Sequence, residues 1–303
     1  MAMLDPTSPS SQPLTLTVLG AGPAVPNPGG ACSGYLLAHG GTRVLMDCGS
    51  GVIGRLRQHM PPSGLDGVVI SHLHPDHYFD LVQLYYFLRY WQPAPAPPPL
   101  YVPPGGQAGL RRLSVLVTGG PEAFDEAFSV REYAAGVPHR IGALTFSFHP
   151  VQHYVLSHAM RVSPHGGPTL PTFPTLPTPP TLVFSSDVAP CAALVDAARD
   201  ADLFLCESAL IERSQDDADP LLRGHLLAAE AGDIARQAGA RRLLLTHYAA
   251  DRAGLVDHHR SQAERAFGRP VELAEEGRSY AVTGGGSGGE REEDWRGQPL
   301  NRE

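Results

Sequence analysis

"VVISHLHPDHYFDL", residues 68–81, decides how this chain is read. An apolar run leads straight into His72, His74, Asp76 and His77, four metal-binding side chains within six positions. Zinc is commonly held by imidazole nitrogen and carboxylate oxygen. In an extended segment, side chains at i and i+2 point the same way, so His72 and His74 can grip one ion at a strand end. Pro75 then turns the chain, and Asp76 and His77 can face a second ion close by. Such an arrangement suits a two-metal hydrolase, in which a bound water is deprotonated and both ions stabilise developing charge. The plainer alternative is a solvated histidine-rich loop. It fits poorly with a buried strand running directly into the cluster.

Further candidate ligands stand at other strand ends. His153 closes "FSFHPVQH", Asp187 closes "LVFSSD" and His247 closes "LLLTH". Each follows an apolar run, where loop-borne site residues are expected. A lone histidine in such a place is more often structural. Three such ends beside an HxHxDH motif make a stronger signal. His149, four residues before His153, competes for the same role.

Composition bounds the rest. The 303 residues carry a formal charge of −8, and all 23 basic residues are arginine. That balance disfavours a long nucleic-acid ligand, whose binding is driven by neutralising phosphates. The four cysteines, Cys32, Cys48, Cys191 and Cys206, form no CxxC pair and read as reduced thiols. "MAMLDPTSPSSQPL" has neither a basic nor an apolar leader region, and no stretch approaches the length of a membrane span. The expectation is a soluble cytoplasmic protein with no membrane partner.

Residues 1–12 are Pro/Ser-rich and are expected to be disordered, as is the tail 284–303. Between them, 13–283 reads as one domain, interrupted by a low-complexity Pro/Thr excursion at 164–181. Its first half is rich in hairpins and its second half alternates strand and helix, with "VELAEEGRSYAV" closing the sheet. Two mixed sheets packed together with helices outside are expected. Leu81, Leu84, Tyr85 and Leu88 mark a helix face. The aromatic stretch "YFDLVQLYYFLRYW" is either the core of that helix or a base-stacking wall.

Taken in order, "LGAGPAVPNPGGACSGYLL", "MDCGSG", "SHLHPDH", "HYVLSHAMRV", "FSSD", "LCESA", "GHLLAAEAG" and "LLLTHY" resemble the metallo-β-lactamase-fold hydrolases, in particular their RNase Z-like branch. The resemblance covers roughly residues 14–283. It implies an α+β fold, an αββα four-layer sandwich in a single domain, with a dinuclear metal site at one edge. Carried over by motif, His72, His74 and His153 hold the first zinc, Asp76, His77 and His247 the second, and Asp187 bridges them. His153 is preferred to His149 because it stands eight residues before Arg161, the family's spacing, although Ala159 and His158 replace that stretch's glycine and aromatic residue. The expected cofactors are two Zn2+, with Mn2+ as the alternative.

The resemblance also implies a proton donor for the leaving group. "GHLLAAEAG" offers His225, and "FLCESAL" offers Glu207 to orient it and favour imidazolium. Asp76 is a third catalytic candidate, orienting the attacking water. Leu227 stands where the family has a hydroxyl, and Cys206 where it has a histidine. Within the branch, tRNA 3′-end nucleases carry a basic arm between the third histidine motif and the bridging aspartate. Here that interval, 163–181, has no Arg or Lys. The closest likeness is to compact bacterial cyclic-nucleotide phosphodiesterases. The expected reaction is therefore hydrolysis of a small phosphodiester, such as a 3′,5′-cyclic nucleotide, by metal-bound hydroxide. The alternatives are tRNA 3′-end processing, with nucleic acid as the disfavoured partner, and a non-phosphate hydrolase such as a lactonase. A homodimer is the family's tendency.

Overall fold

The computed structural model describes residues 13–94, 96–165, 179–212, 223–251 and 254–284. The expected disordered ends, 1–12 and all of 284–303 but Gly284, lie outside these residues, as does the excursion over 166–178. One sheet is built from β1 (Leu14–Gly20), β2 (Gly34–His39), β3 (Thr42–Met46), β4 (Gly67–Val69), β5 (Pro99–Val102) and β6 (Ser129–Glu132). The other carries β7 (His139–Ile141), β8 (Leu144–Val151), β9 (Ser157–Pro164), β10 (Leu182–Phe184), β11 (Leu203–Glu207), β12 (Leu243–Thr246) and β13 (Glu272–Leu273). The final strand, β14 (Ser279–Val282), returns to the first sheet and pairs with β1. The strand orders are β14-β1-β2-β3-β4-β5-β6 and β13-β12-β11-β10-β9-β8-β7. "VELAEEGRSYAV" thus closes both sheets, one strand each, where a single closing strand was expected.

Sequence pattern explains which strands lie inside. β4, β10, β11 and β12 are buried at every position, as parallel strands covered on both faces require. β8 alternates instead: Leu144, Phe146 and Phe148 are buried, while Thr145 and Ser147 are half-buried. Three apolar layers result. Leu16, Leu37, Phe146, Phe184 and Leu205 belong to the layer between the sheets. Outside the first sheet, α1 (Val52–His59), α3 (Leu81–Tyr86), α4 (Gly106–Thr118) and α5 (Ala123–Ala127) complete a second layer, with α2 (Pro75–Tyr78) forming the turn that precedes α3. Outside the second sheet, α6 (Ala192–Ala197), α7 (Ala228–Gln237) and α8 (Leu255–Phe267) complete the third. This is the expected αββα four-layer sandwich in a single domain. Among the described residues, no helix is long and apolar enough to cross a membrane.

Leu81, Leu84, Tyr85 and Leu88 are all buried, as their spacing predicts. A π-helical turn, Phe87–Trp91, extends α3 and divides the aromatic stretch. Tyr85 and Phe87 enter the core, while Tyr86, Tyr90 and Trp91 face outward. The ring neighbours of Tyr90 are Tyr85 and Tyr86, each 6.0 Å away.

Two contacts tie the sheets together near the parallel strand ends. Tyr35 on β2 is hydrogen-bonded through its hydroxyl to Thr246 Oγ1 on β12 at 2.7 Å. Tyr133 stacks on Phe148 with ring centroids 3.6 Å apart, and its hydroxyl donates to the carbonyls of Ile70 and Ser71 at 3.0 and 2.9 Å. That second contact fixes the segment leading into His72.

Candidate active site

The C-terminal ends of β4, β10, β11 and β12 converge at one edge of the sandwich, the usual place for a site in sheets with parallel strands. β4 leads to His72 and His74, and Pro75 at the first position of α2 fixes the turn that presents Asp76 and His77. Gly49 allows this packing, because a Cβ there would collide with the Asp76 carbonyl oxygen. β10 ends before Asp187, β11 at Glu207 and β12 before His247. The β8–β9 connection carries His153. His149 lies further back on β8, bonded through Nε2 to Ser147 Oγ at 3.1 Å, so the structure brings His153 and not His149 to the cluster.

All seven expected ligand residues come together. His74 Nδ1 lies 3.2 Å from His72 Nε2 and 3.0 Å from His153 Nε2. Asp187 Oδ1 is 3.2 Å from His77 Nε2, and its Oδ2 is 3.3 Å from His247 Nε2 and 3.8 Å from His72 Nε2. Asp76 Oδ2 completes the second group, 3.5 Å from His77 Nε2 and 3.8 Å from His247 Nε2. Asp187 is the member shared by both groups.

The outer nitrogens show what the inner ones can be. His77 Nδ1 donates to Asp47 Oδ2 at 2.7 Å, and His153 Nδ1 donates to the Gly224 carbonyl at 2.7 Å. His72 Nδ1 meets Ser71 Oγ at 3.1 Å and Ser186 Oγ at 3.2 Å, and Ser71 Oγ itself donates to Asp47. Ser33 Oγ holds His247 Nδ1 at 3.0 Å. In a neutral imidazole whose Nδ1 carries the hydrogen, Nε2 is a lone pair. The inner faces of His72 and His153 are then lone pairs aimed at His74 Nδ1, which has at most one proton to share. His77 Nε2 and Asp187 Oδ1 are buried, lie 3.2 Å apart and have no further hydrogen-bond partner among the described residues. Lone pairs and a carboxylate crowded in this way call for cations between them, so the donor set fits a divalent metal site.

Charge states follow the same logic. Burial pushes His72 well below the usual imidazole range and keeps it neutral, the form that ligates. Burial also opposes charge on His77, yet Asp187 and Asp47 on either side outweigh it and hold its value well above the ordinary one. Burial works against the Asp187 carboxylate too, but His247 and His77 bring it well below the usual range. The pocket around Asp187 therefore demands positive charge.

Beside the cluster, Glu207 is wholly buried and saturated. Its Oε1 accepts from Val188 N at 2.8 Å and His225 Nδ1 at 3.0 Å, and its Oε2 from Ala209 N at 3.1 Å and Leu226 N at 3.3 Å. His225 Nδ1 is 4.0 Å from Asp187 Oδ2, and its ring lies nearly parallel to that of His247, 5.8 Å away. Leu227 has no hydroxyl to cap α7. Instead Glu230 accepts from Leu227 N at 2.9 Å and from both terminal nitrogens of Arg223 at 2.8 and 2.6 Å.

Asp47, Ser33, Ser71 and Ser186 are supporting residues that sequence reasoning did not single out. Asp47 had one usable signal, its place after the apolar strand "RVLM" at the head of a glycine-rich loop. Asp47, Ser186 and His247 also have left-handed backbones, with φ of 57°, 57° and 53°. Such conformations are uncommon without glycine and cluster at sites that the surrounding structure holds in place.

Comparison with known proteins agrees with this fold. Residues 42–248 match the Beta-lactamase superfamily domain. An uncharacterized protein of Mycobacterium leprae is 34% identical over 271 residues, 88% of each chain. Probable metallo-hydrolase YhfI of Bacillus subtilis is 29% identical, covering 87% of this chain and 98% of that protein. Its crystal structure superposes with a TM-score of 0.73 at 27% identity, over 89% of this chain and 100% of that one. Ribonuclease Z of Myxococcus xanthus is 30% identical, covering 87% of this chain and 96% of that enzyme.

Proposed function

The chain belongs to the beta-lactamase superfamily, and on that premise we propose that it is a metal-dependent hydrolase cleaving a phosphodiester bond in a small substrate, with a 3′,5′-cyclic nucleotide as the specific candidate. The observation that carries the reading is the adjacency of a cation-demanding pocket around Asp187 to an imidazole, His225, held by a buried carboxylate. His72, His74 and His153 would hold one ion, Asp76, His77 and His247 a second, and Asp187 both. Zinc suits this set of nitrogen and oxygen donors, with manganese as the alternative. Bound there, the pair supplies an acidified water and positive charge for the phosphate oxygens.

The chain's own residues do the rest. Asp76, at the head of α2, orients the attacking water and accepts its proton. Glu207 fixes His225 through Nδ1, and its three backbone donors prevent the carboxylate from moving away. His225 delivers a proton from Nε2 to the departing 3′ oxygen, which would otherwise leave as an alkoxide. The product is the 5′-monophosphate.

The relative named ribonuclease Z favours a second reading, cleavage of RNA. Against it stand the net charge of −8 and the absence of Arg and Lys from 163–181. Turnover of 3′,5′-cyclic AMP by the zinc- or manganese-loaded protein, beside Asp76→Ala, tests the proposal. AMP formation that vanishes in the variant supports it. No turnover with metal bound, together with cleavage of a tRNA precursor, would replace it with the RNA reading.

A further inference from the structure

In the aromatic stretch around α3, exposed Tyr86 and Tyr90 neighbour each other and exposed Phe79 packs edge-on against Tyr78. A different aromatic side chain stands at the site. Tyr154 follows His153 directly, with its ring 5.1 Å from the His153 ring and 5.8 Å from the His225 ring. It is 54% exposed, and it heads three consecutive exposed apolar residues, with Val155 at 38% and Leu156 at 51%. Gly224, whose carbonyl holds His153, packs against the Tyr154 ring so closely that a Cβ there would collide with it. The ring is therefore positioned by the same short segment that leads into His225.

Tyr154 is thus a half-exposed ring on the loop that carries His153. It lies beside the two histidines assigned to metal binding and to the leaving group. A planar group attached to the sugar whose 3′ oxygen is at His225 can reach that ring, and every nucleobase has a π-face to offer.

We propose that Tyr154 is the stacking platform for the planar base of the substrate, and that it sets a preference for nucleotides over base-free phosphates. The inference rests on the nucleotide reading above and names the residue that recognises the base.

The test is direct binding to the metal-loaded full-length protein, with adenosine 5′-monophosphate and ribose 5-phosphate as probes. Wild type is expected to prefer the nucleotide by about tenfold or more, a ratio that Tyr154→Ala reduces to about twofold or less while Tyr154→Trp retains it. In cyclic AMP turnover the loss in Tyr154→Ala falls on KM. A wild type that binds both probes equally, an alanine variant that keeps the ratio, or a tryptophan variant that loses it would overturn the proposal. Binding preference without hydrolysis would sink the reaction and leave the platform standing. Hydrolysis without binding preference would do the reverse.

Discussion

Two buried carboxylates, one at the end of a strand in each sheet, make the same bond to different effect. Asp47, after β3, accepts from His77 Nδ1 and from Ser71 N. Glu207, at the end of β11, accepts from His225 Nδ1 and from three backbone amides. Both carboxylates are fully buried, but His77 is buried with them whereas the His225 side chain is 22% exposed. A carboxylate–imidazole pair sealed inside the sandwich can only aim a ligand at the Asp187 pocket. The same pair opened to solvent is the one to which the proposed reading gives proton transfer. Exposure, not the pair itself, separates the two roles.

The largest expected effect separates them by removing the open imidazole. His225→Ala should lower kcat about 10²–10⁴-fold, the usual contribution of a positioned proton donor, while metal content stays at the wild-type level. Steady-state kinetics and metal analysis on one preparation check both, and a loss of only a few-fold would remove His225 from the reaction. Asp47→Ala attacks the sealed pair. It should weaken metal binding about 10–100-fold, because His77 loses the partner that fixes its orientation. Competition with a chromophoric chelator measures this, and unchanged affinity would mean that Asp47 serves only the backbone and hydroxyl of Ser71.

A third imidazole sharpens the comparison because it lacks a carboxylate. His259 on α8 is 1% exposed, and neither ring nitrogen has a hydrogen-bond partner among the described residues. Burial, with His258 adding to it, pushes its pKa down to about 4. An unfolded imidazole titrates near 6.5, so between these values the unfolded chain takes a proton that the native state refuses. The titration of His259 therefore leaves stability unchanged well above pH 6.5 and lowers it progressively as the pH falls toward 4, by about 3 kcal/mol at most. Urea titrations at several pH values should show a shallower decline in His259→Leu than in wild type. His158, likewise pushed down to about 4 by burial, remains in both proteins as a common background.

The smallest effect concerns the turn that carries His225. Leu227→Ser would give α7 the capping hydroxyl it lacks, opposite the Glu230 bond already present, for a gain of about 0.5–1 kcal/mol in thermal unfolding.

These residues also show what a sequence can and cannot disclose. His72, His74, Asp76 and His77 are legible because one turn of chain brings them together. Asp187 and His247 are legible because each ends an apolar strand and parallel strands end on one side, whereas Glu207 is reached through the family resemblance. Ser33, Ser71 and Ser186 carry no such mark, since a serine becomes a histidine's partner only through contacts set by the whole fold. The same holds for Tyr154, whose neighbours His225 and Gly224 lie some seventy residues away. Helix α4 and strands β6 and β7 left no expectation at all. β6 and β7 are short edge strands held by their neighbours, and α4 carries glycines at 106 and 109 that obscure its helical pattern.

The return of β14 to the first sheet has a consequence for how the protein is made. Leu14 pairs with Val282, and Thr17 Oγ1 meets Ser279 Oγ at 2.7 Å across 262 positions of chain, so β1 must wait for β14. Until then β1 leaves the ribosome with one edge open, and contacts of such long range close slowly. An open edge is a template for pairing with a neighbouring chain. Asp187 and His247 are also translated late, so the half-built pocket and the unpaired edge coexist on the nascent chain. Truncation before Ser279 should therefore yield aggregates, even though every residue of the candidate site is present.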